Sequence, residues 1–418
     1  MTQAFKFSLK VRELATTWLL VVVGACGLAA GARADAVTDW NLIALNTLPP
    51  IHGLGPMGSR AMGYVHAAIF DAVNAVERKY TVYKVDITAP GASAEAAAMT
   101  AAHGVLVKLY PEQQMALDVI LAKSLKSVAE GNAKEEGVAL GRHVAEKTDV
   151  VTDDFAALDP SYKLGTDPSS WQPYPASALP RGLKWGSIKP FLMTKPDQFT
   201  LPGPLSVRSP EYAKEIEEVR VMGGRDSSER TNGQTAIAIF WTVGGAPVLN
   251  EIARKEALAK DLDLPANARL FALINMAMSD AGIATWHEKF QHNFLRPITA
   301  IRNASALDNP AIKQDATWEP LIVTPSHPDY PSGHCANTGA GATILRKFFG
   351  TDAIQSNATY TYPMLGVTRQ WTNYTALVKE TGNARIWGGI HTRTADEHAD
   401  MLGRQVAEYV FDNFLRPR

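Results

Sequence analysis

Apolar residues in this 418-residue chain return mostly at every third or fourth position, the repeat of a single buried helix face. Over residues 59–77 they stand at Met62, Val65, Ala68, Ile69, Ala72 and Val73. His66 and Asp71 interrupt that face and read as polar positions of a helix rather than as a site. The same repeat predicts helices over 93–107, from Pro111 to about Val128, and over 135–148. Farther along it predicts helices at about 210–222, 229–242 and 265–295. Another runs from His334 to Phe349, with Gly350 as its C-cap, and a last one covers about 394–415. Strand-like alternation is scarce. The expected class is all-α, as two packed helical bundles.

Between these elements the pattern lapses. Residues 35–60 carry Pro49, Pro50, Gly53, Gly55 and Gly58 and read as an extended lead-in. Residues 150–212 hold ten prolines, a spacing through which no helix can run. This long Pro-rich excursion is expected to be ordered by its aromatic residues, Trp171 and Trp185 among them, and to shape the mouth of a site. Residues 305–331 form a second Pro-containing connection, and 351–373 carry no clear signal.

The first 34 residues follow another pattern. Lys6, Lys10 and Arg12 precede an apolar run from Trp18 to Ala30, and Ala32-Arg33-Ala34 before Asp35 fits an A-x-A cleavage site. Residues 1–34 are therefore expected to be a signal peptide, with residues 35–418 exported to the periplasm or secreted. A membrane anchor needs a longer apolar run, and Val23-Gly24-Ala25-Cys26 only loosely fits a lipoprotein signal. No other stretch is long enough to span a bilayer, so no stable membrane insertion is expected after cleavage.

Composition changes this picture little. The chain is 46% hydrophobic and 20% charged, enough for a large core, and its net charge of -1 suggests no polyelectrolyte partner. No basic patch stands out, so no nucleic-acid role is expected. Loss of residues 1–34 leaves 37 basic against 41 acidic residues, and Cys335 as the sole cysteine, which excludes an internal disulfide.

Three segments carry candidate chemistry. In the first, Lys289 and Arg296 are seven residues apart before Pro297. On one continuous helix they would face nearly the same way, about 10 Å apart along the axis. In the second, Pro331-Ser332-Gly333-His334 opens a helix whose unpaired N–H groups can cradle an oxyanion. In the third, Arg385 and His391 flank Gly388-Gly389, a break that can fold the arginine back beside the histidine. Together these offer three fixed cations, helix-start amides and two histidines. That set suits a phosphate-shaped oxyanion and its five-coordinate transition state. One histidine can bond the central atom and the other can exchange a proton with the opposite oxygen.

The order Lys-x6-Arg-Pro, Pro-Ser-Gly-His, Arg-x5-His resembles the superfamily of vanadium-dependent haloperoxidases and type 2 phosphatidic-acid phosphatases. The helix at 59–77, the Trp-rich middle and the segment 388–393 resemble its soluble haloperoxidase branch. The resemblance implies a single haloperoxidase-like helical domain over 35–418, with a motif-bearing core at about 265–418. It implies one vanadate per chain, with Lys289, Arg296, Ser332, Gly333 and Arg385 around its equatorial oxygens. His391 would bond the metal, His334 would be the acid–base residue, and Lys289 would polarise the peroxide. Trp286 falls where relatives place a pocket aromatic. His327 falls where bromide-oxidising members tend to carry histidine, which points to bromide or iodide.

The implied activity is oxidation of halide by hydrogen peroxide to hypohalous acid. The alternative on the same residues is an exported acid phosphatase with no cofactor, in which His391 attacks a phosphate ester and His334 protonates the leaving group. Phosphatases of the superfamily carry aspartate four residues after the nucleophilic histidine, where this chain has Ala395, followed by Asp396. No carboxylate that orients His334 is evident. Two further readings are a non-catalytic oxyanion-binding protein and a zinc site drawn from His287, His292, His334 and His391, which lack close ligand spacing. Cys335 reads as packing. A homodimer is an expectation that rests only on the tendency of homologous bundles to pair.

Overall fold

A computed structural model describes residues 35–49, 56–151, 155–356, 359–362 and 366–418. The expected signal peptide lies outside the described residues. Among the described residues, thirteen α-helices make up nearly all of the regular structure. In chain order they are α1 (Ala36–Thr47), α2 (Pro56–Glu77), α3 (Ala94–Leu109), α4 (Gln114–Ser124), α5 (Asn132–Lys147), α6 (Pro210–Gly223), α7 (Asn232–Phe240), α8 (Gly245–Ala259), α9 (Leu264–His292), α10 (Pro297–Arg302), α11 (Gly333–Phe349), α12 (Tyr374–Trp387) and α13 (Arg393–Asn413). One antiparallel hairpin, β1 (Thr359–Tyr362) and β2 (Val367–Gln370), falls in the stretch that carried no signal.

Helix α9 is the axis of the molecule. It spans 29 residues and is buried without interruption from Asn267 to Trp286. Asp263 starts it by accepting the Ala266 N–H at 2.9 Å, next to a proline in the first turn, where no N–H is missed. On one side α9 packs against α2, which packs in turn on α3 and α5; on the other it packs against α11 and α13. These are the two expected bundles, and α9 belongs to both. His66 and Asp71 on α2 serve structure. His66 is fully buried, 2.8 Å from Asn41 Nδ2, and Asp71 accepts N–H groups from Tyr83, Lys84 and Val85.

Three expectations need correction. The lead-in is not extended, because residues 36–47 form α1. Asp35 Oδ1 accepts from Val37 and Thr38 N–H at 3.0 and 2.9 Å, while Thr38 Oγ1 accepts from Asp35 N–H at 3.0 Å. This reciprocal cap, together with buried Val37, Trp40 and Ala44, outweighs the prolines and glycines that follow. Helices α8 and α12 lie where none was expected. The helix expected to reach Leu295 ends at His292, where Asn293 takes a left-handed conformation (φ 45°). Pro297 does not stop that helix but starts α10, with Arg296 just before it.

The 150–212 excursion behaves as expected. Among its described residues before α6, the only regular element is a single 3-10 turn, Trp185–Ser187. Trp171 and Trp185 are buried. Asp280, fully buried on α9, accepts the Phe191, Leu192 and Met193 N–H groups at 2.7, 2.7 and 2.9 Å and pins the excursion to the core.

Candidate active site

The three cation-bearing segments meet where α9, α11, α12 and α13 end or begin. Lys289 comes from the last turn of α9 and is fully buried. Its Nζ donates to the Pro328 and Asp329 carbonyls at 2.8 and 3.0 Å and stands 5.7 Å from the centre of the Trp286 ring. Arg296 reaches the same place by way of the left-handed turn, not along a shared helix face. Its Nε donates to the His327 carbonyl at 2.8 Å, and Nη1 to the Ile390 carbonyl at 2.6 Å. Arg385 is in the last turn of α12, and its Nη1 donates to the Trp241 carbonyl.

The break after α12 needs glycine. Gly389 has φ +78°, and a Cβ there would lie 2.4 Å from the Gly223 carbonyl oxygen. The turn lets the Ile390 N–H reach back to the Arg385 carbonyl at 3.2 Å, which sets His391 beside the arginines. His391 Nε2 is 3.3 Å from Arg296 Nη1, and its Nδ1 is 2.6 Å from Asp329 Oδ1. Asp329, supplied from another segment, is therefore the carboxylate paired with this histidine, in a close contact not aligned as a hydrogen bond. Thr392 Oγ1 holds its second oxygen at 3.0 Å. The misplaced Asp396 does something else. It accepts from Cys335 Sγ at 3.2 Å.

Ser332 is the N-cap position of α11 and makes no capping bond, so the helix-start amides are left as expected. A Cβ on Gly333 would lie 2.9 Å from the Trp286 ring, so glycine lets that ring close over the helix start. His334 follows in the first turn. It is oriented by the Val243 carbonyl, which accepts from the ring, and not by a carboxylate. The α7–α8 connection thus holds two site residues, Arg385 through Trp241 and His334 through Val243, and sequence reasoning missed it. The paired glycines at 244 and 245 were its one visible signal.

Electrostatics favour an anion. Lys289, Arg296 and Arg385 are each no more than 2% exposed. Burial, then the neighbouring Arg296, pushes Lys289 well below its ordinary value, and burial lowers Arg296 to about 10. Burial pushes Asp396 up to about 8, leaving it mainly protonated near neutral pH. That leaves Asp329 as the main balancing charge among three cations. Burial and the surrounding cations push His334 and His391 well below the ordinary histidine value, so both are neutral. Ser332 Oγ, His334 Nε2 and Arg385 Nε are buried without a protein partner. A tetrahedral oxyanion fits this donor set. Burial also pushes the Cys335 thiol well above its usual value, which agrees with a packing role.

A cavity of about 100 Å³ opens in front of these groups, lined by Phe155, Trp286, His327, His334 and Asn337 among others. His327 faces this cavity rather than solvent, 5.1 Å from the Trp286 ring and 3.1 Å from Arg296 Nη2. Phe155 brings the excursion to the rim. Among the described residues no group of three or more His, Cys, Asp or Glu could hold a metal ion, which gives the zinc alternative no support.

Comparison with known proteins agrees with this geometry. Residues 269–417 match the VCPO second helical-bundle domain family. The vanadium chloroperoxidase of Curvularia inaequalis is 30% identical over 168 residues, and the matched stretch spans 27% of that relative's length. The first bacterial vanadium-dependent iodoperoxidase of known structure superposes with a TM-score of 0.73 at 23% identity, covering 93% of this chain and 100% of that one. A bacterial vanadium-dependent chloroperoxidase in its holo form gives 0.73 at 18% identity, covering 91% and 97%. The fold is that of the helical-bundle vanadium haloperoxidases. Residues 269–417 thus match that second helical-bundle domain, and over most of its length the chain shares the fold of these structures.

Proposed function

We propose that this chain uses one vanadate to oxidise halide, bromide or iodide in preference, with hydrogen peroxide, giving hypohalous acid. The observation that carries the proposal is the buried convergence of Lys289, Arg296 and Arg385 on two neutral histidines, with one carboxylate to balance them. Lys289, Arg296, Ser332, Gly333 and Arg385 would hold the oxygens, and His391 Nε2 would bond the metal. Vanadate held there would supply a Lewis acid that activates peroxide without changing its own oxidation state. The cations offset the negative charge that gathers on oxygen as the reaction proceeds. Asp329 fixes the His391 ring and supports its basicity. His334, neutral and with Nε2 toward the cavity, can take a proton from the incoming peroxide. Trp286, Phe155 and His327 make a small, largely apolar wall suited to a weakly hydrated halide.

A second reading stands on one specific observation. Asp329 gives His391 the orienting carboxylate that a phosphohistidine mechanism needs, so the displaced Asp396 does not argue against phosphatase chemistry. The cavity of about 100 Å³ leaves little room for an organic leaving group, which favours the oxidative reading. Export after cleavage of residues 1–34 and pairing as a homodimer are parts of this proposal that rest on sequence alone.

The test is a paired assay on residues 35–418. One arm measures bromide and iodide oxidation by peroxide after incubation with orthovanadate in phosphate-free buffer. The other measures phosphomonoester hydrolysis without vanadate. Vanadate-dependent halide oxidation with negligible hydrolysis is expected. Hydrolysis inhibited by vanadate, without halide oxidation, overturns the proposal in favour of a phosphatase.

A further inference from the structure

Asn337 lies on α11, one turn after His334, and lines the same cavity. It is only 9% exposed. Its Nδ2 donates to Ser59 Oγ at 2.8 Å and toward the Met278 carbonyl at 3.4 Å. A carbonyl can only accept, so the amide is fixed with Oδ1 on the other side. There Oδ1 has no partner. Gly245, the first residue of α8, packs near that oxygen, and a Cβ there would fall 2.5 Å from Asn337 Oδ1. His334 Nε2 is likewise buried without a partner, and it is an acceptor whenever the other ring nitrogen carries the proton. One small cavity therefore has two buried acceptors on its α11 wall.

Buried acceptors without donors cost free energy until a ligand or water supplies them. A halide is itself an acceptor and is repelled by both lone pairs. An organic acceptor is large for about 100 Å³. Hydrogen peroxide is small and carries two O–H donors. Resting on the haloperoxidase reading, we propose that Asn337, braced by Ser59, receives the oxidant: hydrogen peroxide donates one O–H to Asn337 Oδ1 and the other to His334 Nε2. Peroxide is then received at Asn337 while halide lies against Trp286. The two substrates do not compete for one subsite, and Asn337 governs the oxidant alone.

The test uses the vanadate-loaded protein and three variants, Asn337→Leu, Ser59→Ala and Gly245→Ala. KM for peroxide and KM for iodide are measured separately, with vanadate affinity from quenching of tryptophan fluorescence and the thermal midpoint as readouts independent of turnover. Loss of one hydrogen bond to substrate should raise the peroxide KM of Asn337→Leu about tenfold. The iodide KM and vanadate affinity should stay within about twofold of wild type. Ser59→Ala should give a smaller shift in the same direction. Gly245→Ala, which leaves the asparagine in place and crowds its oxygen, should reproduce the peroxide effect if Asn337→Leu does not fold. An unchanged peroxide KM in an active, folded variant overturns the inference and leaves the haloperoxidase reading intact. So does an equal change in iodide KM and vanadate affinity. Wild-type protein that oxidises no halide removes the reading itself, and the inference with it.

Discussion

Asp329 stands between two opposing effects. It holds His391 Nδ1 at 2.6 Å, and it places a negative charge beside the cations that must bind an anion. Removing it would tighten anion binding by charge alone and weaken it by freeing the ring. Partners that orient a metal-binding histidine typically change affinity by 10–100-fold, so orientation should win. Asp329→Ala is expected to lower vanadate affinity by about 10–100-fold, measured by fluorescence titration; tighter binding would show that the carboxylate acts only as a counter-charge. Most of the residues at this point were legible in the chain: Lys289, Arg296, Ser332, Gly333, His334, Arg385 and His391 do come together. Asp329 was not recognised, although an acid amid Pro325, Pro328 and Pro331 was its trace. Trp241 and Val243 act through main-chain carbonyls, which no side-chain pattern reveals.

At the scale of elements, helix faces were readable and their ends were not. The buried face of α2 is written in its apolar spacing. Helix α1 is set by a local cap at Asp35 that competes with downstream prolines and glycines. Helix α8 opens on Gly245, just after Gly244, and contains Pro247, signals that read as a break although the proline falls in the first turn, where it costs no hydrogen bond. The convergence of Lys289 and Arg296 likewise depends on a left-handed residue between them, not on the helical period. The excursion over 150–212 was recognised as ordered, but its fastening was not. Asp280 takes three of its backbone N–H groups, and α9 gives no hint of that in its periodicity. Asp280→Ala leaves those groups without an acceptor, and part of the loss returns through water. The expected cost is about 3 kcal/mol in urea unfolding, together with earlier proteolysis within 150–212. A variant as stable as wild type would mean that packing alone holds the segment.

Across the whole molecule, four histidines are held neutral, two of them, His66 and His391, buried. His66, in the bundle core, is pushed down to about 3, and His327, His334 and His391 lie well below their ordinary value. The folded chain leaves them unprotonated while the unfolded chain takes up protons below about pH 6.5, so stability falls as pH drops through that value. His66 alone should account for about 2 kcal/mol between pH 7 and 5. Buried Asp71, Asp280, Asp329 and Asp396, raised to about 6, 6, 6 and 8, work in the opposite direction, so the His66 contribution is read as the difference in urea unfolding between wild type and His66→Gln at the two pH values. A bound oxyanion should offset the part due to His334 and His391, because it favours their protonated or ligated forms. A wild-type to His66→Gln difference that does not change between those pH values would contradict the neutral assignment of His66.

The central claim is that this site binds vanadate through His391 while His334 serves turnover. The most direct measurement is an orthovanadate titration of wild type, His391→Ala and His334→Ala at neutral pH in phosphate-free buffer, followed by halide oxidation on the same samples. Wild type should bind one equivalent and turn over. His391→Ala should lose affinity by more than about a hundredfold, because it removes a metal ligand and not only a supporting contact. His334→Ala should bind within a few-fold of wild type and turn over far more slowly. Equal vanadate affinity in wild type and His391→Ala, or no binding by wild type, would contradict the account.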